Sequence, residues 1–124
     1  MRNAYDVYKA ETLATNSSNE LVGRLYNEGA IVLKRAVLSI RDKDIQGTND
    51  NILKAENILS ALDGALDMSY PVSTQLRSLY GYMITRLLKA NAKKDPEILN
   101  EVAGLLFDLR NTWEQAIKKA KAVR

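Results

Sequence analysis

The stretch LYGYMITRLLKAN, residues 79–91, decides the fold class. Its apolar residues recur every three or four positions, which is the spacing of one face of an α-helix. Together with a leucine just upstream they form one stripe: Leu76, Leu79, Tyr80, Met83, Leu87 and Ala90. Tyr82 lies off that stripe, and Asn91 stands directly before the charged break that follows. The stretch therefore predicts an amphipathic helix over about 73–91 with a single core-facing side.

Working outward from this helix, the same periodicity predicts three more, over about 18–41, 45–67 and 96–121. Their predicted core stripes are Leu21, Leu25, Gly29, Val32, Ala36 and Ile40 in the first, Ile45, Ile52, Ala55, Leu59, Leu62 and Leu66 in the second, and Ile98, Val102, Leu105, Leu109, Trp113, Ala116 and Ala120 in the last. The first stripe is widened into a band by Val22, Tyr26, Leu33 and Val37.

Helix starts are marked by capping residues. Ser17 or Ser18 can cap the first helix, and Glu20, three residues after Ser17, completes a capping box. The run DPE, residues 95–97, supplies an N-cap aspartate, a proline at the first helical position and an acid in the first turn. These signals fix where the first and last helices begin.

Short breaks separate the four helices, at RDKD (41–44), DMSYPVSTQ (67–75) and NAKKD (91–95). Amphipathic helices joined by such short connections must fold back on one another. The predicted fold is therefore all-α, an antiparallel up-down four-helix bundle over 17–124 with a partly ordered N-terminal segment over 1–16.

Composition excludes several classes of function. The 124 residues include no Cys and no His, so thiolate and imidazole ligands, a Cys nucleophile and the commonest general base are all missing. The carboxylates fall mainly off the apolar stripes, which favours solvated surface over paired catalytic acids. We therefore expect no enzyme activity, no metal and no cofactor.

Charge and hydropathy also limit the partners. The net charge is only +3, with both signs interspersed, and the basic run KKAKAVR at 118–124 lacks interleaved aromatics, so nucleic-acid binding is not expected. No apolar run approaches the roughly 20 residues of a membrane span, and the N-terminus has no apolar secretion signal. A cytoplasmic protein without membrane insertion is expected.

Some apolar residues fall outside the predicted stripes. Ile31 and Leu38, seven positions apart, lie opposite the core band of the first helix. Phe107 and Tyr82 are turned away from the stripes of the fourth and third helices. A shifted helix rotation would bury some of them. Otherwise they form a surface for a partner, or for a second copy of this chain.

Taken in order, the motifs NAYDVY, ELVGRLYNEGAIVLKRA, KAENILSALDGALD, LRSLYGYMITRLLKAN and EVAGLLFDLRNTWEQAIKKA cover essentially the whole chain. This series resembles the flagellar export chaperone family FliS, which has a Tyr-rich start, an LY pair in its first helix and an LY.YM...L..AN third helix. The sequence departs from that pattern at Ser18, where a proline is expected, at Gly23 and Arg24, commonly apolar, and at Phe107, usually charged.

The resemblance implies a cytoplasmic chaperone that binds the disordered C-terminal segment of flagellin, prevents premature polymerisation and delivers the subunit to the export gate. Further partners that it implies are the gate itself and other flagellar assembly proteins. Tyr82 and Asn91 then become contacts of this client, although Asn91 serves equally well as a helix C-cap. Tyr80 is expected in the core. The alternatives are a structural bundle that only forms homodimers or larger homo-oligomers, and an enzyme with an unrecognised carboxylate site.

The N-terminal segment MRNAYDVYKAETL carries Tyr5, Val7, Tyr8 and Leu13. By resemblance, this tail covers part of the client groove when flagellin is absent. A frayed terminus without function is the other interpretation.

Overall fold

Four α-helices account for nearly all of the described chain in a computed structural model, which describes residues 19–69 and 71–122, with side chains at 20–69 and 71–119. They are α1 (Asn19–Arg41), α2 (Ile45–Gly64), α3 (Pro71–Lys93) and α4 (Pro96–Ala122). The prediction of an all-α four-helix bundle is confirmed. Ser17 and Ser18, the predicted caps of the first helix, lie outside the described residues.

Side-chain hydrogen bonds between helices fix an antiparallel register. Lys34 Nζ of α1 donates to Asn100 Oδ1 of α4 at 2.8 Å, and seven residues earlier Asn27 Oδ1 accepts from Arg110 at 2.7 Å. Later residues of α1 pair with earlier residues of α4, so the two helices are antiparallel. Each helix packs against its neighbours in sequence, and α1 closes the bundle against α4.

The two turns that follow α1 and α3 have the same construction. Each contains a lysine with a left-handed backbone, Lys43 at φ 58° and Lys94 at φ 51°. Each lysine is followed by an aspartate whose carboxylate caps the next helix: Asp44 accepts from the amide of Gly47 and Asp95 from that of Glu97, both at 2.9 Å. The predicted N-cap role of Asp95 is confirmed.

Aromatic side chains join three helices at the centre of the bundle. Trp113 of α4 is 1% exposed, and its ring meets that of Tyr26 of α1 edge-to-face, with centroids 6.5 Å apart. The Tyr26 hydroxyl forms a 2.9 Å hydrogen bond with the hydroxyl of Tyr80 of α3, across the diagonal of the bundle. Both phenols are buried, so the core position expected for Tyr80 is confirmed.

Several predicted core positions are wrong. Ile45 is 66% exposed because it is the first residue of α2, where the side chain projects beyond the packed layer. Leu21 is 39% exposed, and the buried face of α1 is centred on the wider band that contains Val22 and Leu33. On α4 the buried face is rotated toward residues that the predicted stripe omitted, chiefly Leu99, Ala103 and Leu106.

Two helix ends also differ from expectation. α2 ends at Gly64, earlier than predicted, and α3 begins at Pro71. Proline suits the first position of a helix because its missing amide hydrogen would have no intrahelical acceptor there. α3 continues to Lys93, so Asn91 lies inside the helix and is not its C-cap.

Within residues 19–69 and 71–122, no helix is long and apolar enough to cross a membrane. The same residues contain no cluster of three or more acidic side chains arranged to hold a metal ion.

Candidate protein-binding surface

A groove runs along the outside of the bundle between α1 and α4, and we refer to it as the α1/α4 seam. A pocket in it has a volume of about 490 Å³ and is lined by Glu20, Gly23, Arg24, Asn27, Arg110, Trp113, Glu114 and Ile117. Gly23 forms part of the floor, since a Cβ atom there would lie 3.3 Å from the Trp113 ring. The seam thus has an apolar floor and a charged rim.

Two of the predicted site residues, Ile31 and Phe107, fall on this seam. The register set by Asn27–Arg110 and Lys34–Asn100 places both between those two hydrogen bonds. Each side chain is half-buried, and the Phe107 ring packs beneath the Arg110 guanidinium, 4.8 Å from its centroid. Part of the apolar surface expected at this edge is therefore used in packing. Leu38, 48% exposed, lies two turns beyond Ile31 on the outer surface of α1.

Tyr82 lies between α3 and α4, in a small polar network. The residue is 47% exposed, and its hydroxyl donates to Glu101 Oε2 at 2.6 Å. Arg86 Nε donates to the other carboxylate oxygen at 2.9 Å. The hydrogen bond to Glu101 raises the pKa of Tyr82, and the same bond, aided by Arg86, lowers the pKa of Glu101. The hydroxyl is therefore engaged, and the exposed ring is what a partner can contact.

Asn91 lies at the edge of the bundle between α2 and α3, which we call the α2/α3 seam. The amine of Lys94 donates to Asn91 Oδ1 and, at 2.6 Å, to Asn49 Oδ1 of α2. Arg77 Nε and Asp63 Oδ1 form an ion pair at 3.0 Å near the other end of the seam. These two contacts bound the seam and fix its antiparallel register.

Two exposed leucines on the α2/α3 seam were missed at the sequence level. Leu53 is 55% exposed and Leu88 is 59% exposed, and the register puts them level with each other. Both lie off the predicted stripes, which is the same signal that singled out Ile31 and Leu38. The signal alone does not show that residues from two helices meet at one seam.

The predicted site residues are thus distributed over three edges of the bundle. Ile31, Phe107 and Leu38 lie along or near the α1/α4 edge, Tyr82 at the α3/α4 edge and Asn91 at the α2/α3 edge. Tyr5 and Tyr8 lie outside the described residues. Such a surface, with apolar residues spread along helix edges among paired charges, suits a partner that follows more than one groove.

Comparison with known proteins points to flagellar secretion. The family model described as Flagellar protein FliS matches residues 1–120. The chain is 33% identical over 124 residues to the flagellar secretion chaperone FliS of Bacillus subtilis strain 168, covering 100% of this chain and 93% of that protein. It is 33% identical over 121 residues to the flagellar secretion chaperone FliS of Salmonella typhimurium, covering 94% and 90% of the two chains. The corresponding protein of Escherichia coli K12 is 32% identical over 104 residues, 82% of this chain and 76% of its own.

Proposed function

The chain belongs to the FliS family of flagellar secretion chaperones, and we propose that it is a cytoplasmic chaperone whose client is the C-terminal segment of flagellin. Binding would keep flagellin subunits from polymerising early and would help deliver them to the flagellar export apparatus. The observation that carries the proposal is the family match over residues 1–120, the length of the bundle and its N-terminal segment.

The physical form of the surface supports a helical client. A disordered amphipathic segment that folds on a bundle gains free energy by burying its apolar side chains, which must exceed the entropy cost of ordering it. The bundle offers exposed or half-exposed apolar residues on three of its edges: Ile31, Leu38, Leu53, Tyr82, Leu88 and Phe107. A segment that contacted all three edges would have to wrap around the bundle.

The proposal assigns different roles to the predicted site residues. Ile31, Leu38 and Phe107 would contact one part of the client and Tyr82 another. Asn91 would act through its Lys94 contact at the α2/α3 seam. Tyr5 and Tyr8 would cover part of the client groove until flagellin binds. The export gate and other flagellar assembly proteins are further partners that follow from this role.

Calorimetric titration with a synthetic peptide of the flagellin C-terminal segment tests the proposal. We expect binding with a clearly negative heat-capacity change, because burial of apolar surface and coupled folding both produce one. A scrambled peptide of the same composition is the control. Absence of binding, or equal binding of the scrambled peptide, would refute the proposal, and binding without a heat-capacity change would indicate a mainly electrostatic contact.

A homo-oligomer remains the alternative because Leu38 exposes an apolar side chain that a second copy could cover. Analytical ultracentrifugation distinguishes the two roles. A chaperone should form a complex with the flagellin peptide, whereas a purely structural bundle should associate with itself and leave the peptide free.

A further inference from the structure

The four helices share the packing of the bundle unequally. α1 packs extensively against both α2 and α4, whereas α3 contacts the same two helices much less. The central ring contact, between Tyr26 and Trp113, joins α1 to α4. At Gly29 of α1, an added Cβ atom would meet Leu106 of α4 and Ile58 of α2, so these three helices also approach one another closely there. α3 is therefore the least tightly packed helix of the bundle.

The surface of α3 shows the same low packing. Leu88 is 59% exposed, and Tyr82 is 47% exposed. At Gly81 an added Cβ atom would meet nothing within 4 Å. Fewer contacts hold α3 than hold α1, so less free energy is gained when α3 packs onto the bundle.

Ion pairs supplement this packing at both edges of α3. Toward α2, Arg77 Nε lies 3.0 Å from Asp63 Oδ1. Toward α4, Arg86 Nε lies 2.9 Å from Glu101 Oε1, and the Tyr82 hydroxyl donates to the other oxygen of the same carboxylate. In the described part of the chain, these are the two ion pairs that join different helices. All four charged side chains are partly exposed, and ion pairs of this kind stabilise a structure only weakly.

We propose that α3 separates from the bundle as one unit, in a conformational change that leaves α1, α2 and α4 packed together. A region with few buried apolar contacts opens at a lower free energy than the whole protein unfolds. Residues 65–70, which precede α3, form the longest connection between two helices and leave the chain room for this movement.

Separation of α3 has defined structural consequences. It breaks the hydrogen bond between the hydroxyls of Tyr80 and Tyr26, and it leaves the ring contact of Tyr26 with Trp113 in place. It also exposes the apolar faces of α2 and α4 that α3 covers, without unfolding either helix. The opening is a property of the fold and does not depend on the client that the protein binds.

Hydrogen exchange, measured amide by amide, tests this inference on the natural protein. The slowest amides of α3 should exchange at least about tenfold faster than the slowest amides of α1, because α3 opens without unfolding of the whole bundle. Equal rates in the two helices would show that α3 opens only when the whole bundle unfolds, and the inference would be wrong.

Glu101→Ala tests the contribution of the ion pairs. It removes the contacts of Arg86 and Tyr82 with α4, and these contacts are lost both when α3 separates and when the whole bundle unfolds. Exchange in α1 and in α3 should therefore accelerate by the same factor, about fivefold. Unchanged exchange in α3 would show that the Glu101 contacts do not hold this helix in place.

Gly29→Ala is the matched control. The new methyl group meets Leu106 and Ile58, so it disturbs contacts among α1, α2 and α4 that persist when α3 separates. Exchange in α1 should change about fivefold, while exchange in α3 stays within about twofold of the natural protein. If Gly29→Ala changes exchange in α3 as much as in α1, the bundle opens as a single unit and the inference is wrong.

Discussion

The α1/α4 seam and the α2/α3 seam are opposite edges of one bundle, and they use glycine and apolar residues differently. At the first, Gly23 lies against Trp113, and in the core beside it an added Cβ at the buried Gly29 would sit 3.0 Å from Leu106 Cδ1 of α4 and 3.6 Å from Ile58 of α2. At the second, the Cβ position of Gly81 is empty, and Leu53 and Leu88 stay more than half exposed. Glycine thus serves close packing at the first edge, whereas at the second edge it fills no packing role and two leucines stay exposed.

The largest expected effect is a loss of stability from a substitution at the α1/α4 seam. Trp113→Ala should lower the free energy of unfolding by about 3 to 5 kcal/mol, because the ring is buried and contacts Tyr26. Leu88→Ala, at the α2/α3 seam, should lower the free energy of unfolding by less than about 1 kcal/mol. Urea denaturation of both variants gives the comparison. A loss below about 1 kcal/mol for Trp113→Ala would place the ring outside the core.

The contrast between the two edges was only partly predictable from the sequence. Periodicity located all four helices, because each helix buries one continuous face. It did not give the correct rotation of α4 about its own axis. The predicted stripe of α4 contained Leu105 and Leu109, whereas Leu99 and Leu106 are the fully buried leucines. α4 is apolar over more than half of its circumference, so several stripes fit its sequence equally well. Contact with α1 through Gly29 selects one of them.

The surface was harder to predict than the core. Off-stripe apolar residues were recognised one helix at a time, which identified Ile31, Leu38 and Phe107. Half-burial of Ile31 and Phe107 follows from the register between α1 and α4, which no single helix reveals. The partial burial of Glu56 was missed for the same reason: a carboxylate on a helix ordinarily indicates solvated surface, and the periodicity of α2 alone does not show which of its polar side chains are partly buried.

Two glycine substitutions, one in each region, should change stability by smaller amounts and in opposite directions. Gly29→Ala should destabilise the protein by roughly 1 kcal/mol, since overpacking against the fully buried Leu106 exceeds the gain in helix propensity. Gly81→Ala should stabilise it by about 0.5 to 1 kcal/mol, because the new methyl group meets nothing. Thermal denaturation measures both.

Gly104→Ala is the control for this pair. Its Cβ position is also empty, but it lies on α4, away from the α2/α3 seam. It should stabilise the protein as Gly81→Ala does and leave flagellin binding unchanged, whereas Gly81→Ala should weaken binding if a client helix approaches closely. Stabilisation by Gly29→Ala would mean that the α1/α4 edge is less tightly packed than its distances indicate.

Lys43 and Lys94 both have a left-handed backbone, and only Lys94 forms hydrogen bonds at the α2/α3 seam. Replacing each with glycine therefore tests what the Lys94 side chain contributes to this seam. Lys43→Gly should stabilise the protein by about 0.5 to 1 kcal/mol, because glycine adopts a positive φ without steric cost. Lys94→Gly gains the same relief but loses the hydrogen bonds to Asn49 and Asn91, so its net effect should be a loss of up to about 1 kcal/mol. Chemical denaturation of the two variants side by side gives the difference. Equal stabilisation by both would show that the Lys94 amine contributes nothing to this edge.

The smallest expected effect concerns the N-terminal segment, which joins the bundle at Asn19, next to the Glu20 end of the α1/α4 seam. If Tyr5 and Tyr8 cover part of the client groove two-thirds of the time, Tyr5→Ala with Tyr8→Ala should tighten flagellin peptide binding about threefold, because a larger fraction of the protein is then free to bind. Asn3→Ala with Asp6→Ala is the control in the same segment. Calorimetry with the flagellin peptide measures the affinity of both variants. Weaker binding would instead make the two tyrosines direct client contacts, and unchanged affinity would mean that the segment does not compete for the client groove.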